Sequence, residues 1–347
     1  MLVVAKPVGP TSHDVVALVR RLSGTRRVGH GGTLDPFASG VLPLFLGRAT
    51  RLVEYHLADR KAYRATVCFG ATSSTDDLEG ELTPVDAHGP DRAAVEATLP
   101  AFLGEIEQRP PAYSAVKVSG RRAYALARTG AAMELAPRRV RIDRLGLVEW
   151  DAADRARPFA VVEVECSAGT YVRSLARDLG AALGTGAYLG ALVRTASGPF
   201  RLEAAVPLEH VRVAAAAGPD ALQALLLPPD AGLDALPVLV LSAGEVGAAS
   251  RGQFIRPRAP LPAADGGPIR LRDEDGNLVG IGVVRGNRLV PEKVLVDAPA
   301  AGLQPSAAPP TEPMEHRPPP IDLDEAAAAE ADPPLGVDPD PASPDDV

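Results

Sequence analysis

The sequence lacks what disulfide scaffolds and zinc modules need. Its 347 residues include two cysteines, Cys68 and Cys166, far apart and at no paired-ligand spacing, so both read as small apolar core residues of a reducing compartment. Long apolar runs are also missing. No stretch of 18 uncharged apolar residues occurs, and Met1 to Ala5 reaches Lys6-Pro7 too soon for a signal core, which leads to the expectation of a cytoplasmic protein with no membrane partner. Lysine is scarce, with only Lys6, Lys61, Lys117 and Lys293; the positive charge is carried by arginine, whose planar fork suits phosphates and carboxylates.

The net charge of −8 argues against a nucleic-acid partner until it is divided along the chain. Residues 298–347 hold eleven acids against one base, Arg317, which leaves 35 bases and 33 acids in the remainder. The body is therefore slightly positive. The end is dense in proline, alanine and acid and has no aromatic residue, a composition that predicts a disordered tail.

An α+β fold is expected for the rest. Thr11-Ser12-His13-Asp14 resembles a capping box, Val15, Leu18, Val19 and Leu22 follow with helical spacing, and Gly24 ends the pattern. The residues from Tyr63 to Phe69 are β-branched and aromatic enough for a strand, and in Val162-Glu163-Val164-Glu165-Cys166 the alternation buries every second residue. Tyr171, Leu175 and Leu179 return to a helical period with Gly180 as the expected stop. A helical, alanine-rich connection over 208–227 leads to a second unit of short strands, a meander or small barrel, in which Asp275-Gly276-Asn277 makes a hairpin turn rather than a calcium loop. The expected organisation is 1–234, one mixed α+β domain; 235–297, a small β-rich domain; and 298–347, the tail.

Residues 26–40 concentrate chemistry: glycines, His30 and Asp35 lie together in Arg-Arg-Val-Gly-His-Gly-Gly-Thr-Leu-Asp-Pro. Proline disfavours the α region for the residue before it, so Asp35 is expected extended on a loop, where a carboxylate can serve as a nucleophile. An isolated Asp-Pro is ordinarily a plain turn. The third glycine of a dinucleotide fingerprint is missing, no Gly-Lys-Ser/Thr follows for a phosphate loop, and His30 has no second histidine at ligand spacing.

Taken in order, several segments make the resemblance specific: Lys6-Pro7-Val8-Gly9-Pro10-Thr11-Ser12, Val28-Gly29-His30-Gly31-Gly32-Thr33-Leu34-Asp35-Pro36, Lys61-Ala62-Tyr63-Arg64 with Thr75-Asp76-Asp77, the segment from Gln108 to Lys117, and Cys166 to Leu175. The chain resembles the TruB family of tRNA pseudouridine synthases over residues 3–297. The resemblance implies the pseudouridine synthase fold, with a mixed, largely antiparallel sheet flanked by helices, and a PUA-like module behind it. It implies a cofactor-independent isomerisation of the T-loop uridine numbered 55 in tRNA.

By the same resemblance Asp35 is the nucleophile, Arg173 its arginine partner, Tyr63 stacks on the flipped uracil and assists proton removal at carbon 5, and His30 fills the space the nucleotide vacates. Leu192 lines the uracil pocket and Lys6 supports the site. Attack at the base and attack at the sugar are both compatible with these residues. Val193-Arg194 departs from the family, which has two arginines there. No cofactor, no obligate protein partner and a monomer are expected, with the tRNA T-stem-loop as partner. Two rivals remain: a guide-RNA-dependent relative, and a tRNA-binding or folding protein without catalysis.

Overall fold

The structure is a computed structural model; it describes residues 1–85, 88–113, 117–118, 121–122, 135–257, 260–262 and 264–297. The tail expected at 298–347 and part of the family segment between Gln108 and Lys117 lie outside the described residues. Met1–Ala300 gathers into one compact unit.

Its first part is built on a ten-stranded sheet. The chain supplies β1 (Leu2–Lys6), β2 (Val28–His30), β3 (Ser39–Leu46) and β4 (Lys61–Phe69), then a two-stranded excursion, β5 (Ala71–Ser73) with β6 (Leu82–Pro84), and β7 (Gly104–Gln108). After the short pair β8 (Lys117–Val118) and β9 (Arg121–Arg122) come β10 (Arg138–Asp151), β11 (Phe159–Cys166), β12 (Ala187–Ser197), β13 (Phe200–Arg201) and β14 (Val206–Pro207). The strand order β14-β1-β3-β12-β4-β11-β10-β7 is antiparallel except where β1 meets β14 and β3 meets β12. This is the mixed, largely antiparallel sheet expected.

Local chemistry accounts for the elements. The helix Ser12–Ser23 is opened by Thr11, whose side chain accepts from the Asp14 amide while the Asp14 carboxylate accepts from the Thr11 amide, and it is closed by Gly24 in the left-handed conformation. Its Val15, Val16 and Val19 pack on Leu2, Val4, Leu42 and Leu44 of β1 and β3. A larger core joins Ala65, Val67 and Phe69 of β4, Val162, Val164 and Cys166 of β11, and Leu175, Ala176 and Leu179 of the helix Val172–Leu183. Cys68 and Cys166 sit at opposite ends of the β4–β11 pairing, and both are free.

The structure departs from the expectations in two places, at Gly180 and in the second unit, and refines the helical connection between them. Gly180 does not stop its helix, which runs to Leu183 and is capped by left-handed Gly184; a Cβ at 180 would lie 2.2 Å from the Ala187 amide nitrogen, so the glycine is there for close packing on β12. The connection over 208–227 is two helices, Leu208–Ala217 and Pro219–Gln223, separated at Gly218, because proline's ring and missing N–H interrupt the ladder. The second unit also contains a helix, Ala243–Ser250, opened by a Ser242/Glu245 capping box. Its strands β15 (Val238–Val240), β16 (Pro268–Arg272), β17 (Leu278–Arg285) and β18 (Arg288–Val294) form one sheet, with β15 and β16 parallel. Asp273 closes the β16–β17 turn by accepting from the amide and side chain of Asn277.

The small sheet is tied to the larger one. Leu52 and Leu233 share a core with Ile281 and Leu295, and Arg48 donates to the Leu295 carbonyl at 2.7 Å. Buried Asp230 accepts from Arg270 and Arg272 of β16. No helix among the described residues is long and apolar enough to cross a membrane.

Candidate active site

The loop between β2 and β3 presents Asp35. Nearly every backbone group around it is already engaged. The Gly31 amide donates to the Pro43 carbonyl and the Gly32 amide to His30 Nδ1. Ser12 Oγ accepts from the Leu34 amide at 2.8 Å and donates to the Leu34 carbonyl at 3.0 Å. The Pro36 carbonyl accepts from the Gly9 amide and from Lys6 Nζ, and the Asp35 carbonyl from the Ala38 amide. The loop is held from all sides, and the carboxylate is left facing a cleft of about 290 Å³.

Arg173, second residue of the helix Val172–Leu183, reaches that carboxylate, with its Nε 3.2 Å from Asp35 Oδ2. Its other nitrogens are taken: Nη1 lies 3.1 Å from Asp77 Oδ2, and Nη2 donates to the Tyr113 carbonyl at 2.9 Å. Asp77 is itself buried and is fixed by Thr75 Oγ1 and by the Glu79 amide. Beside it, Asp76 adopts φ 62°, a left-handed conformation that aspartate tolerates better than most residues, and it pairs with Arg177 at 2.8 Å. The helix start has no side-chain cap of its own; Gln108 Oε1 takes the Tyr171 amide at 2.8 Å instead. Held by Asp77 and by the carbonyls of Thr75 and Tyr113, the arginine has little freedom, so its fourth partner, Asp35, meets a preset fork.

The cleft is also lined by Tyr63, Lys61, Tyr113, Leu192 and Arg194. Tyr63 is half-buried, and burial pushes its phenol up while Arg194 pulls against the rise. Burial holds Asp35 above the ordinary carboxylate value, opposed in part by Arg173 and helped by Asp77. Lys6 is only 1% exposed and does not touch Asp35; it donates to the carbonyls of Pro7, Pro10 and Pro36, and its burial brings it down to about 8. Gly40, φ 114°, lets β3 run against β12, where a Cβ would sit 2.2 Å from the Arg194 carbonyl.

Of the six residues singled out in the sequence, Asp35, Tyr63, Arg173 and Leu192 meet in one cleft. Lys6 lies behind the loop, and His30 stands outside the cleft lining, half-buried, with its ring edge-on to His13 at 5.5 Å. Burial lowers the His30 value. Asp77, Arg194 and Gln108 received no role from the sequence. Thr75-Asp76-Asp77 carried a signal, two adjacent acids in a turn of small residues, but nothing local tells which acid points inward.

Family models cover nearly the whole described chain. The N-terminal domain of TruB family pseudouridylate synthase matches residues 20–172, the tRNA pseudouridylate synthase B C-terminal domain 173–234, and the C-terminal part of pseudouridine synthase II TruB 237–295. Proteins named tRNA pseudouridine synthase B are similar to it: that of Bradyrhizobium diazoefficiens at 43% identity over 84% of each chain, and that of Synechococcus elongatus at 46% over 84% of this chain and 96% of the other. That of Gloeobacter violaceus reaches 53% over 61% of this chain and 73% of its own. Among solved structures, a chain of a Cbf5-Nop10-Gar1 complex superimposes with TM-score 0.64 at 27% identity, covering 85% of both chains. With the Asp35–Arg173 cleft at its centre and family models matched from residue 20 to 295, the chain belongs to the TruB family of pseudouridylate synthases.

Proposed function

We propose that this protein isomerises the T-loop uridine of tRNA, position 55, to pseudouridine, with Asp35 as the nucleophile. The observation that carries the reading is the carboxylate itself, facing the cleft from a loop whose backbone is largely tied and 3.2 Å from the Arg173 guanidinium. A nucleophilic carboxylate must be ionised; burial opposes this and Arg173 favours it. Attack by Asp35 allows the N-glycosidic bond to break, the base turns within the cleft, carbon 5 bonds to the ribose, and the carbon-5 proton is lost as the carboxylate is released. Tyr63 and Leu192 line the space for the uracil, with Tyr63 stacking and assisting proton removal. Lys6 keeps the loop in place, and His30, at the loop's base, fills the gap left in the RNA. In our reading 1–234 is the catalytic domain, 235–297 a PUA-like module that adds RNA surface, and 298–347 an acidic tail; the protein works in the cytoplasm as a monomer without a cofactor.

The relatives named tRNA pseudouridine synthase B are 41–53% identical, against 25–27% for the chains from Cbf5 and H/ACA complexes, which favours a stand-alone enzyme over a guide-dependent one. The deciding experiment incubates the purified protein alone with unmodified T-stem-loop RNA and maps pseudouridine. Conversion at the one loop uridine is expected. Conversion only with added RNA or protein partners supports the guide-dependent alternative, and tight binding without conversion supports the non-catalytic one.

A further inference from the structure

Arg194 is among the largest fully buried side chains of the protein, 1% exposed, so it is no phosphate contact on the surface. All of its donors point inward. Nε donates to the Val41 carbonyl at 2.8 Å, Nη2 to the Gly32 carbonyl at 3.1 Å and Nη1 to the Thr33 carbonyl at 3.3 Å. Two of these acceptors lie within three residues of Asp35. On the neighbouring strand, Arg194 of β12 stands directly opposite Tyr63 of β4, both line the cleft, and the guanidinium charge acts on the phenol.

We propose that Arg194 is a positioning residue for the reaction: one buried cation fixes the Gly32 and Thr33 carbonyls of the loop that carries Asp35, and sets its charge opposite Tyr63 across the strand pair. This rests on the reading of the cleft given above, but the contact itself does not. Because the guanidinium is positive, loss of the Tyr63 phenol's proton is favoured against the effect of burial. The charged or titratable groups that face Tyr63 are Arg194 on β12, Cys166 on β11 and Asp35 on the loop, with Lys61 and Arg173 in the same cleft. Lysine cannot do this work, since its ammonium has no fork to reach three carbonyls at once.

The test uses the full chain without RNA first. With a trifluorinated tyrosine at residue 63, whose more acidic phenol titrates while the protein is folded, fluorine NMR should give a midpoint about one pH unit or more higher in Arg194→Gln than with arginine present, and a smaller rise in Arg194→Lys. In Tyr63→Phe, where Arg194 is intact, the Arg194 guanidinium Nη–H resonances should move while those of Arg173 stay. With stem-loop RNA, Arg194→Gln should lose kcat with little change in KM, and part of the loss should return as pH is raised; a loop that is only loosened loses rate equally at every pH. An unshifted fluorine midpoint in folded Arg194→Gln, an Arg194 resonance unmoved in Tyr63→Phe, or a pH-independent loss overturns the proposal. The two spectroscopic results need no turnover, so they stand even if the RNA reaction proves to be another.

Discussion

Asp35 is costly to the fold and necessary to the proposed reaction. Its carboxyl is held above the ordinary value of 3.8, chiefly by burial, so the folded protein binds its proton more tightly than the unfolded chain. The ionised form therefore destabilises the fold above the raised value, and the penalty disappears as pH falls towards 3.8. Asp35→Asn should abolish turnover, by on the order of 10⁴-fold or more, keep RNA affinity near wild type, and melt no lower than wild type at pH 7, with the difference between the two closing towards pH 4; thermal melts across that range check the sign. Asp77 adds to the upward shift of Asp35. In Asp77→Asn the acid limb of kcat/KM should accordingly move to lower pH while kcat itself falls, because Arg173 has lost the neighbour that orients it; a pH profile of the variant reads both. Asp35 stood out in the sequence through the family resemblance of its segment, since an isolated Asp-Pro is ordinarily a plain turn. The sequence did not carry Asp77 or Arg194, because their importance comes from a guanidinium 96 residues away in one case and from carbonyls 161 and 162 residues away in the other.

At the level of elements, local signals held wherever the cause was local. The capping box at Thr11 and the left-handed Gly24 delimit their helix where the pattern put it, β4 forms over the residues expected to be a strand, and β11 buries Val162, Val164 and Cys166 as its alternation predicts. Gly180 misled because its reason is tertiary: the helix meets β12 there with no room for a methyl group. Propensity alone says that Gly180→Ala should stabilise by about 1 kcal/mol. The contact says the reverse, and a loss of about 1–3 kcal/mol in a urea titration is expected, as for other overpacked positions. The helix Ala243–Ser250 was illegible for a different reason. Its residues are small and include two glycines, so no apolar stripe marks it, and only the Ser242/Glu245 cap betrays where it starts.

The molecule as a whole divides its charge unevenly. The tail carries eleven acids and one base, and the rest 35 bases and 33 acids. From its charge alone, residues 298–347 are expected to compete with a polyanionic RNA for the positive body, and such competition should fade as the screening length falls from about 10 Å at 0.1 M salt to about 3 Å at 1 M. Truncation after Asp297 should therefore tighten stem-loop binding at low salt, leave turnover at saturating RNA unchanged, and lose its effect at high salt; equal affinities of both forms at low salt would leave the tail without a part in binding. The topology has a consequence for the chain during its synthesis. β3 finds its parallel neighbour only when β12 exists, and the Val41 carbonyl waits for a donor 153 residues further on. At about 5–20 residues per second that is roughly 8–30 s on the ribosome, during which the apolar flank of β3 has no β12 beside it. The carboxylate at residue 35 thus leaves the ribosome early and receives its arginine late, so every nascent chain passes through a period in which the nucleophile is present and the cleft is not.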